Sequence, residues 1–486
     1  MQQRQQQYRS INHAFRQSSI QYYSTLQHQQ KNHGSSHSTT LAHGDGGTSI
    51  VSLQKSMHVL RNSNNNINKS GRAYFSTEDN IRIKGYEEYD LSHPECNITQ
   101  NIASRVGTNL HLQHDHPLNT IKTKIENYWQ QQQQQSTSTS TSTFETRDDI
   151  EPIVHIDHNF DSLLIPPTHV SRSRSDTYYL TNEKVLRTHT SAHQTTLLRE
   201  GIDRFLVTGD VYRRDEIDCS HYPIFHQMEG VRMFTEQEFI DAGVVVDVSS
   251  ASSSSSPSSS SSNDKLEYVT QDLKKGLEGM VQHLFGDVEM RWGDDYFPFT
   301  EPSFELEIYF NNEWLEVLGC GVVHTKIVQS VGRGDQLGWA FGLGLERLAM
   351  ILFSIPDIRL FWTQDERFHS QFRNTNGQIV TFVPYSKYPP CFKDISFWTN
   401  KQKVEEEEES TFHVNDLNEV VRDIAGDLVE RVELIDEFVH PKTGRTSHCY
   451  RISYRSMDRS LTNEEIDNLQ EDVRRTVVDK LGVEIR

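Results

Sequence analysis

Four strand-like stretches follow one another between residues 288 and 343, and no helix-like stretch separates them. They are Val288–Trp292, Phe304–Tyr309, Trp314–Gly321 and Gly338–Leu343. Consecutive strands of this kind pair antiparallel, because a parallel pair needs a long crossover connection. Two earlier strand-like stretches, Phe205–Arg213 and Gly230–Phe234, flank a polar loop. The sequence therefore predicts an α+β fold, in which helices flank an antiparallel sheet.

Helical periodicity describes much of the remaining sequence before residue 371. Apolar residues recur at helical spacing after His116, from Leu118 to Trp129, and again within Lys265–Phe285. Further helices are predicted within Leu186–Gly201 and over Leu345–Leu352, and an extended segment is predicted over Ile153–Ile165.

A second pattern begins near residue 386. A helix is predicted to begin at Thr462, which has the S/T-x-x-E form of a capping box with Glu465. The order of elements is β-α-β-β-α-β, which is that of a ferredoxin-like domain. The four elements before that last helix are Ile395–Thr399, Asn415–Leu428, Glu430–His440 and Ser447–Arg455, and the final strand is Val483–Arg486.

Changes in composition mark the expected boundaries between the N-terminal segment, the domains and the insertions. No acidic residue precedes Asp45, and the first part of the chain is rich in Ser and contains Arg. This composition predicts an organellar transit peptide over residues 1–77, the alternative being a polar tail without a targeting role. We expect one domain over 78–370, a linker over 371–385 and a second domain over 386–486. Low-complexity insertions at about 130–143 and 249–263, with the run Glu405–Glu409, are predicted to lengthen surface loops.

Charge and cysteine usage exclude several classes of protein. The formal net charge is −20, so nucleic-acid contacts must come from local basic patches. The five cysteines contain no C-x-x-C pair, which argues against a disulfide framework and a zinc knuckle. The chain has no apolar run long enough to span a membrane, and no membrane contact is expected.

Two arginines are candidates for binding an anionic group. Arg213 lies in GDVYRRDEID and Arg347 in FGLGLERLAM, each next to a predicted strand end. An arginine fork matches phosphate geometry. The alternatives are a cross-strand ion-pair ladder around Arg213 and a tight turn with a salt bridge at Arg347.

Polar and aromatic residues suggest a small-molecule site between the arginines. Gln227 and Glu229 are two residues apart on a strand, so both face one side and can hold an ammonium group. His189 and His193 in HTSAHQ are either a metal pair or hydrogen-bonding groups for a substrate. An aromatic pair in FPF, Phe297 and Phe299, can form either core or a slot for an aromatic ring.

These segments, in this order, resemble the motifs of class II aminoacyl-tRNA synthetases. They are similar above all to the phenylalanyl-tRNA synthetases of the single-chain mitochondrial type. The resemblance runs from about Arg105 to Arg486, and its segments are HTSAHQ, GDVYRRDEID, HYPIFHQMEG, FPFTEPSFE, EWLEVLGCG, GWAFGLGLERLAM, IPDIRLFW and KYPPCFKDISFW.

The resemblance implies a role for each matching residue. Arg213 would hold the α-phosphate of ATP and Arg347 the γ-phosphate, and both would be catalytic. Glu316 is implied as a Mg2+ ligand, Phe341 as a stack for adenine, and Ala340 as part of the pocket floor. Phenylalanine-binding residues would be His189, Ser191, Ala192, His193, Gln194, Gln227, Met228, Glu229, Phe297, Phe299 and Ala340; ATP-binding residues would be Arg213, Ser220, His221, Tyr222, Glu316, Phe341 and Arg347.

A basic hairpin near the C-terminus is the candidate RNA contact. Its cations are interleaved with Tyr450 and Tyr454, and alternate strand positions would form a basic, aromatic face. The alternative is an edge strand that its charges protect from aggregation. The candidate tRNA-binding residues are Lys442, Arg445, Arg451, Arg455 and Arg459.

The family implies a phenylalanine–tRNA ligase. Its substrates would be L-phenylalanine, ATP and tRNA(Phe), with Mg2+ bound to the phosphates, and it would act as a monomer in the mitochondrial matrix, a plastid remaining open. Two alternatives are an amino-acid adenylating enzyme with another acceptor and a non-catalytic RNA-binding relative.

Overall fold

The structure is a computed structural model. It describes residues 83, 91–134, 143–244, 259–385, 388–399, 401–404, 407–410 and 412–486. All of these residues belong to one compact unit. The predicted transit peptide, residues 1–77, lies outside the described residues. Among the described helices, none has the length and apolar character needed to cross a membrane.

Seven strands form the main sheet, in the order β1-β4-β5-β9-β8-β7-β6. Only the β1–β4 pair is parallel, so the predicted antiparallel sheet is confirmed. A second, antiparallel sheet has the order β13-β14-β10-β15. The strands are β1 (Glu145–Arg147), β2 (Ile153–His155), β3 (Lys184–Leu186), β4 (Arg204–Tyr212), β5 (Ile224–Met233), β6 (Glu289–Asp295), β7 (Thr300–Phe310), β8 (Glu313–Val323), β9 (Gly338–Gly344), β10 (Cys391–Trp398), β11 (Lys401–Val404), β12 (Glu407–Ser410), β13 (Val429–Val439), β14 (Thr446–Tyr454) and β15 (Glu484–Ile485).

Helices pack on both sides of the main sheet and on one side of the small sheet. They are α1 (Gln100–Ala103), α2 (Pro117–Gln134), α3 (Ile156–Asn159), α4 (Gln194–Arg199), α5 (Glu236–Asp241), α6 (Ser259–Phe285), α7 (Thr325–Ser330), α8 (Leu345–Phe353), α9 (Glu366–His369), α10 (Val414–Ala425) and α11 (Asn463–Leu481). The α11 helix begins as predicted, because the Thr462 side chain accepts a hydrogen bond from the Glu465 N–H.

Aromatic packing fixes α2 against the main sheet. Trp129 of α2 lies 5.5 Å from the ring of Phe341 and 5.4 Å from that of Trp339, both on β9. On its other side Trp129 contacts α6 so closely that a Cβ at Gly276 would lie 2.8 Å from the indole. These contacts make the α2 side of the sheet a filled core, whereas the opposite side has open space at Gly342 and Gly344.

Several expectations about local structure are wrong. Ile153–Ile165 is extended only over β2, because the His155 side chain then caps the short helix α3. The glutamine run continues α2 to Gln134, as expected for a good helix former added to an existing helix. Residues 259–263 of the serine insertion begin α6, and Glu407–Glu409 pair with β11 as part of β12.

The C-terminal sheet packs its inner face against α10 and α11. Ile395, Leu417, Ile452 and Val473 are fully buried or nearly so in this core. The ferredoxin-like order predicted from the sequence is confirmed. Ile217, which belongs to the loop after β4, also lies in this core, and its carbonyl accepts a hydrogen bond from the Val432 N–H.

Charged groups join the same loop to the C-terminal domain. Arg422 is buried, pairs with Glu419 and donates to the carbonyl of Asp215. Arg214, for which the sequence indicated no role, pairs with Asp416 at 2.9 Å. The loop that carries Arg213 is therefore bonded directly to the C-terminal domain.

Candidate active site

The centre of the main sheet has a floor without side chains. Glu229 on β5 pairs with Gly342 on β9, Gly342 with Gly319 on β8, and Gly319 with Glu305 on β7. Directly paired residues share a face, so two glutamates, whose backbones lie about 14 Å apart across three strand spacings, are separated by two glycines. A Cβ on Gly342 would meet no atom within 4 Å. We call this open side of the sheet the ligand face.

Glu229 is a buried acceptor at one end of this floor. Gln194, at the start of α4, donates to its Oε1 at 3.0 Å. Burial raises the pKa of Glu229 to about 7, although the Ser191 hydroxyl and the Gln194 amide act to lower it. Glu229 Oε2 and Gln194 Oε1 make no hydrogen bond of normal geometry in the described structure. Gln227 is on the same face and partly exposed, so these oxygens can accept hydrogen bonds from an ammonium group.

The other residues of the HTSAHQ segment divide between the site and the core. Both ring nitrogens of His189 are buried, and burial together with the charge of Arg213 lowers its pKa to about 3. Its ring lies 6.4 Å from that of Phe299, so His189 borders the aromatic pair as a neutral imidazole.

Two predictions within the same segment are wrong. His193 turns to Arg187, whose Nη1 lies 2.9 Å from His193 Nε2, and burial and this guanidinium lower the pKa of His193 to about 2. Ala192 is fully buried beside Val154 and Val185. The metal alternative for the histidines also fails, because the one candidate metal group among the described residues is Glu216, Asp218 and His221.

The aromatic pair stands over the other end of the floor. The rings of Phe297 and Phe299 are stacked with centroids 5.8 Å apart. Phe297 covers Gly319, where an added Cβ would lie 2.6 Å from its Cζ. Phe299 packs against the core cluster that contains Ala340, and Ala340 pairs with Gly321 and Val231 on the ligand face. Ala340 is thus placed on the ligand face, in the core cluster beside Phe299.

Arg213 is fixed where β4 ends. Its backbone N–H donates to the Pro223 carbonyl at 3.0 Å, and its Nε donates to the Thr188 carbonyl at 2.8 Å. Its guanidinium carbon lies 5.0 Å from the ring centroid of Phe225. These contacts hold the guanidinium at the edge of the ligand face, beside His189.

Arg347 and Glu316 come together although 31 residues separate them in sequence. Arg347, in the first turn of α8, has its Nη1 3.2 Å from Glu316 Oε2 on β8, and both side chains are partly exposed. Burial, then repulsion from Glu316 and other nearby carboxylates, raises the pKa of Glu305 to about 7. A cation bound between these carboxylates would relieve the repulsion, and carboxylate oxygens suit Mg2+.

The alternation of side chains between the two faces of a strand contradicts two further assignments. Phe341 pairs with Gly230 and Met228 with Leu343, so both side chains lie on the side opposite Glu229. Phe341 packs on Trp129 and cannot stack on adenine; Met228 is fully buried.

On β5 the ligand face does carry an aromatic residue, Phe225. It lies two positions before Gln227 on β5 and beneath Arg213. The same alternation that grouped Gln227 with Glu229 would have identified it in the sequence.

The loop residues expected to reach ATP make other contacts. Asp218 Oδ1 accepts hydrogen bonds from Ser220 Oγ at 2.9 Å and from His221 Nδ1 at 2.9 Å. Burial lowers the pKa of His221, but Asp215 and Asp218 outweigh it and raise the pKa to about 9. Tyr222 stacks on Trp362 and donates to Asp427 of the C-terminal domain at 2.8 Å, so its assignment to ATP is wrong.

The predicted RNA face is only partly as expected. Arg451 lies on the exposed face of β14 and Arg455 directly follows the strand, but Tyr450 and Tyr454 are buried on the face that packs against the helices. The alternative is also wrong, because β14 lies between β13 and β10 and is not an edge strand.

Most of the hairpin cations are paired with acids. Arg451 binds both oxygens of Asp394 at 2.8 Å, and Lys442 is exposed. The other pairs are Arg445 with Glu484, Arg455 with Glu430 and Arg459 with Glu465.

A partly exposed aromatic cluster on the same face was missed. Trp398 and Phe438 lie 6.1 Å apart, and the Arg486 guanidinium stands over both rings. Arg445 also stands over Trp398, at 5.3 Å from its ring centroid.

Comparison with known proteins identifies the family. The model of the class II core domain of tRNA synthetases matches residues 101–251 and 264–372, and that of the ferredoxin-fold anticodon-binding domain matches 386–486. A chloroplastic/mitochondrial phenylalanine–tRNA ligase of Arabidopsis thaliana is 52% identical, over 81% of this chain and 83% of the relative. The mitochondrial enzyme of Dictyostelium discoideum is 47% identical, over 88% and 99% respectively. That of Mus musculus is 51% identical, over 81% and 87%. The names of these relatives agree with the expected mitochondrial location. The chain therefore belongs to the class II aminoacyl-tRNA synthetases, in the family of the single-chain organellar phenylalanine–tRNA ligases.

Proposed function

We propose that the chain is a mitochondrial phenylalanine–tRNA ligase, which activates L-phenylalanine with ATP and transfers it to tRNA(Phe). The observation that carries the proposal is the ligand face itself. An acceptor for an ammonium group, an apolar slot with two phenylalanines, and two arginines surround a floor that has no side chains. This arrangement suits a site that binds an aromatic amino acid and a nucleoside triphosphate side by side. It fits a site for only one of these ligands less well.

Phenylalanine binds along the glycine floor of the ligand face, with its polar end at Glu229. Its ammonium group donates to Glu229 and Gln227, and its ring enters the slot formed by Phe297 and Phe299. Binding of the cation favours the ionised form of Glu229, whose pKa burial raises to about 7. Ser191, Gln194 and neutral His189 supply hydrogen bonds around the polar end of the amino acid.

ATP binds with its α-phosphate at Arg213. The phenylalanine carboxylate attacks the α-phosphorus, the adenylate forms, and pyrophosphate leaves toward Arg347. Arg213 stabilises the negative charge that develops on the reacting phosphoryl group, and it is pre-organised because Thr188 and Phe225 hold it. Phe225 rather than Phe341 is proposed to stack on adenine. No side chain needs to act as a covalent nucleophile, since positioning and charge account for the chemistry.

Glu316 and Glu305 are the residues proposed to hold Mg2+. When bound, the ion would neutralise charge on the phosphates of ATP. Magnesium commonly takes one or two protein carboxylates and completes its shell with phosphate and water, which fits two glutamates beside Arg347.

The C-terminal domain is proposed to contact tRNA(Phe) with the exposed face of its sheet. The basic residues Lys442, Arg445, Arg451, Arg455 and Arg459 lie on or next to the β13–β14 hairpin. Trp398 and Phe438 replace the buried tyrosines as stacking surfaces for bases. The chain is proposed to act as a monomer, because one chain holds both the ligand face and the anticodon-binding domain.

Phenylalanine-dependent ATP–pyrophosphate exchange tests the proposal. Arg213→Ala should abolish exchange, whereas Arg214→Ala, which removes the neighbouring arginine that pairs with Asp416, should retain it. Retained exchange in Arg213→Ala would contradict the assignment. Charging assays with tRNA(Phe) and other acceptors then separate a ligase from an adenylating enzyme, and a wild-type protein without exchange would indicate a non-catalytic relative.

A further inference from the structure

A buried carboxylate next to Arg347 is bound to the strand that carries Gln227 and Glu229. Glu346, in the first turn of α8, accepts two hydrogen bonds from His226 of β5. The His226 backbone N–H donates to Oε2 at 2.8 Å, and ring Nδ1 donates to Oε1 at 2.6 Å. The two residues are 0% and 3% exposed, so solvent does not compete with these bonds.

His226 continues a polar row on the helix side of the sheet. Its partner in the β4–β5 register is Asp210, which accepts hydrogen bonds from Arg187 at 2.7 Å and from the Tyr212 hydroxyl at 2.5 Å. The His226 ring is further held by stacking on Trp362, with centroids 6.1 Å apart. His226 thus bonds β5 to the start of α8, and the buried Asp210 lies beside it on β4.

The two ends of this row lie next to the two phosphate-binding arginines. Asp210 precedes Arg213 by three residues, and Glu346 immediately precedes Arg347. Consecutive residues of a helix are separated by a fixed angle of about 100° around the axis. Fixing the Glu346 carboxylate therefore also fixes the direction in which Arg347 leaves α8.

We propose that His226 is a positioning residue, which acts through Glu346 to set the place of Arg347 relative to Arg213. This inference rests on the proposed function, since it concerns the geometry of pyrophosphate departure. His226 itself faces away from the ligand face and touches no substrate. Its effect is on the rate of adenylate formation, because misplacement of a charge-stabilising group by about 1 Å can cost up to about 100-fold.

Amide replacements of His226 distinguish positioning from packing. The side-chain nitrogen of Asn stands near the place of Nδ1, and that of Gln near the place of Nε2. His226→Gln therefore loses the bond to Glu346, whereas His226→Asn can restore it. Tyr128→Phe is the matched control, because it removes a partly buried hydrogen bond to the Gly276 carbonyl on the same side of the sheet.

The first measurement is steady-state pyrophosphate exchange by the full chain. His226→Gln is expected to lower kcat by about 10- to 100-fold with KM for phenylalanine changed by less than about twofold. His226→Asn should recover most of this loss, and Tyr128→Phe should lose none. Equal losses in the Asn and Gln variants, or a loss confined to KM for phenylalanine, would overturn the inference.

A double-mutant cycle with Arg347→Ala gives the decisive result. If His226 acts through Arg347, adding His226→Gln to Arg347→Ala costs less than about twofold. A full additional loss would overturn the positioning role while leaving the proposed function intact. An unchanged rate in Arg347→Ala alone would instead contradict the proposed role of Arg347. If His226→Gln does not fold, Glu346→Asp, which withdraws the carboxylate by one methylene, takes its place in the same cycle.

Discussion

Replacement of Gly342 by alanine should separate stability from activity. Gly342 has no positive φ, and an added Cβ meets no atom within 4 Å, so the unliganded fold accommodates it. Alanine within a strand is favoured over glycine by about 0.5–1 kcal/mol. The melting temperature of Gly342→Ala should therefore equal or slightly exceed that of the wild type.

The same methyl group stands where the substrates are proposed to lie, between Glu229 and Gly319. Adding a group to a filled site costs about 1–3 kcal/mol, which corresponds to a loss of roughly 5- to 150-fold in kcat/KM. The expected variant is thus stable but slow in pyrophosphate exchange. We regard this combination as diagnostic, since most damaging core substitutions lower both properties.

Gly319→Ala is the control, because here the added methyl group would clash with the protein itself rather than with a substrate. Its Cβ would lie 2.6 Å from Phe297, so this variant should lose stability as well as activity. Thermal denaturation and exchange kinetics on both variants complete the comparison. Full exchange activity in Gly342→Ala would refute the placement of substrates over the glycine floor, and a large fall in its melting temperature would refute the open space above it.

Three further outcomes are expected. The pKa of Glu229 is about 7, against an ordinary value of 4.5. The unliganded protein should therefore lose stability as the pH rises from about 4.5 through 7, because the buried carboxyl group then ionises. Phenylalanine should bind more tightly over the same rise, because its ammonium group pairs with the ionised form. Calorimetric titration at about pH 6 and pH 8 should show this gain in the wild type and not in Glu229→Gln; a pH-independent wild-type affinity would contradict it. Arg422→Ala should lower the free energy of unfolding by about 3–5 kcal/mol in urea titrations, because Glu419 loses its buried partner; a change below about 1 kcal/mol would show that the pair is not important for stability. Trp398→Ala should weaken tRNA(Phe) binding by about 1–3 kcal/mol in filter-binding assays, and undiminished affinity would remove the exposed sheet face as the RNA contact.

The sequence places Gln227 and Glu229 on one face of a strand, and the strand pairing agrees. Gln227 and Glu229 share a face through their spacing alone, and the structure adds Gln194 as a partner of Glu229. Phe341 was placed wrongly because its face depends on its register with Gly230 on another strand. A register between strands far apart in sequence is set by packing of the whole sheet, and no local pattern reports it.

The same limit explains why the sequence assigned the wrong residues to the RNA face. It also explains why the sequence did not indicate the pair formed by His226 and Glu346. Alternation along β14 separates Arg451 from Tyr450, but which set is buried depends on where α10 and α11 pack. His226 and Glu346 are 120 residues apart and unremarkable in sequence. Buried polar pairs of this kind are recognisable only when the strand and the helix are seen together.

Ile217 limits how far this enzyme can be divided into modules. A residue of the loop that follows Arg213 is part of the hydrophobic core of the C-terminal domain, and its carbonyl accepts a hydrogen bond from β13. A fragment that ends before residue 386 would leave Ile217 without its apolar neighbours. Removal of the anticodon-binding domain should consequently disturb amino-acid activation as well as recognition of tRNA. Chimeras that exchange this domain between relatives therefore need to transfer the loop after Arg213 with it.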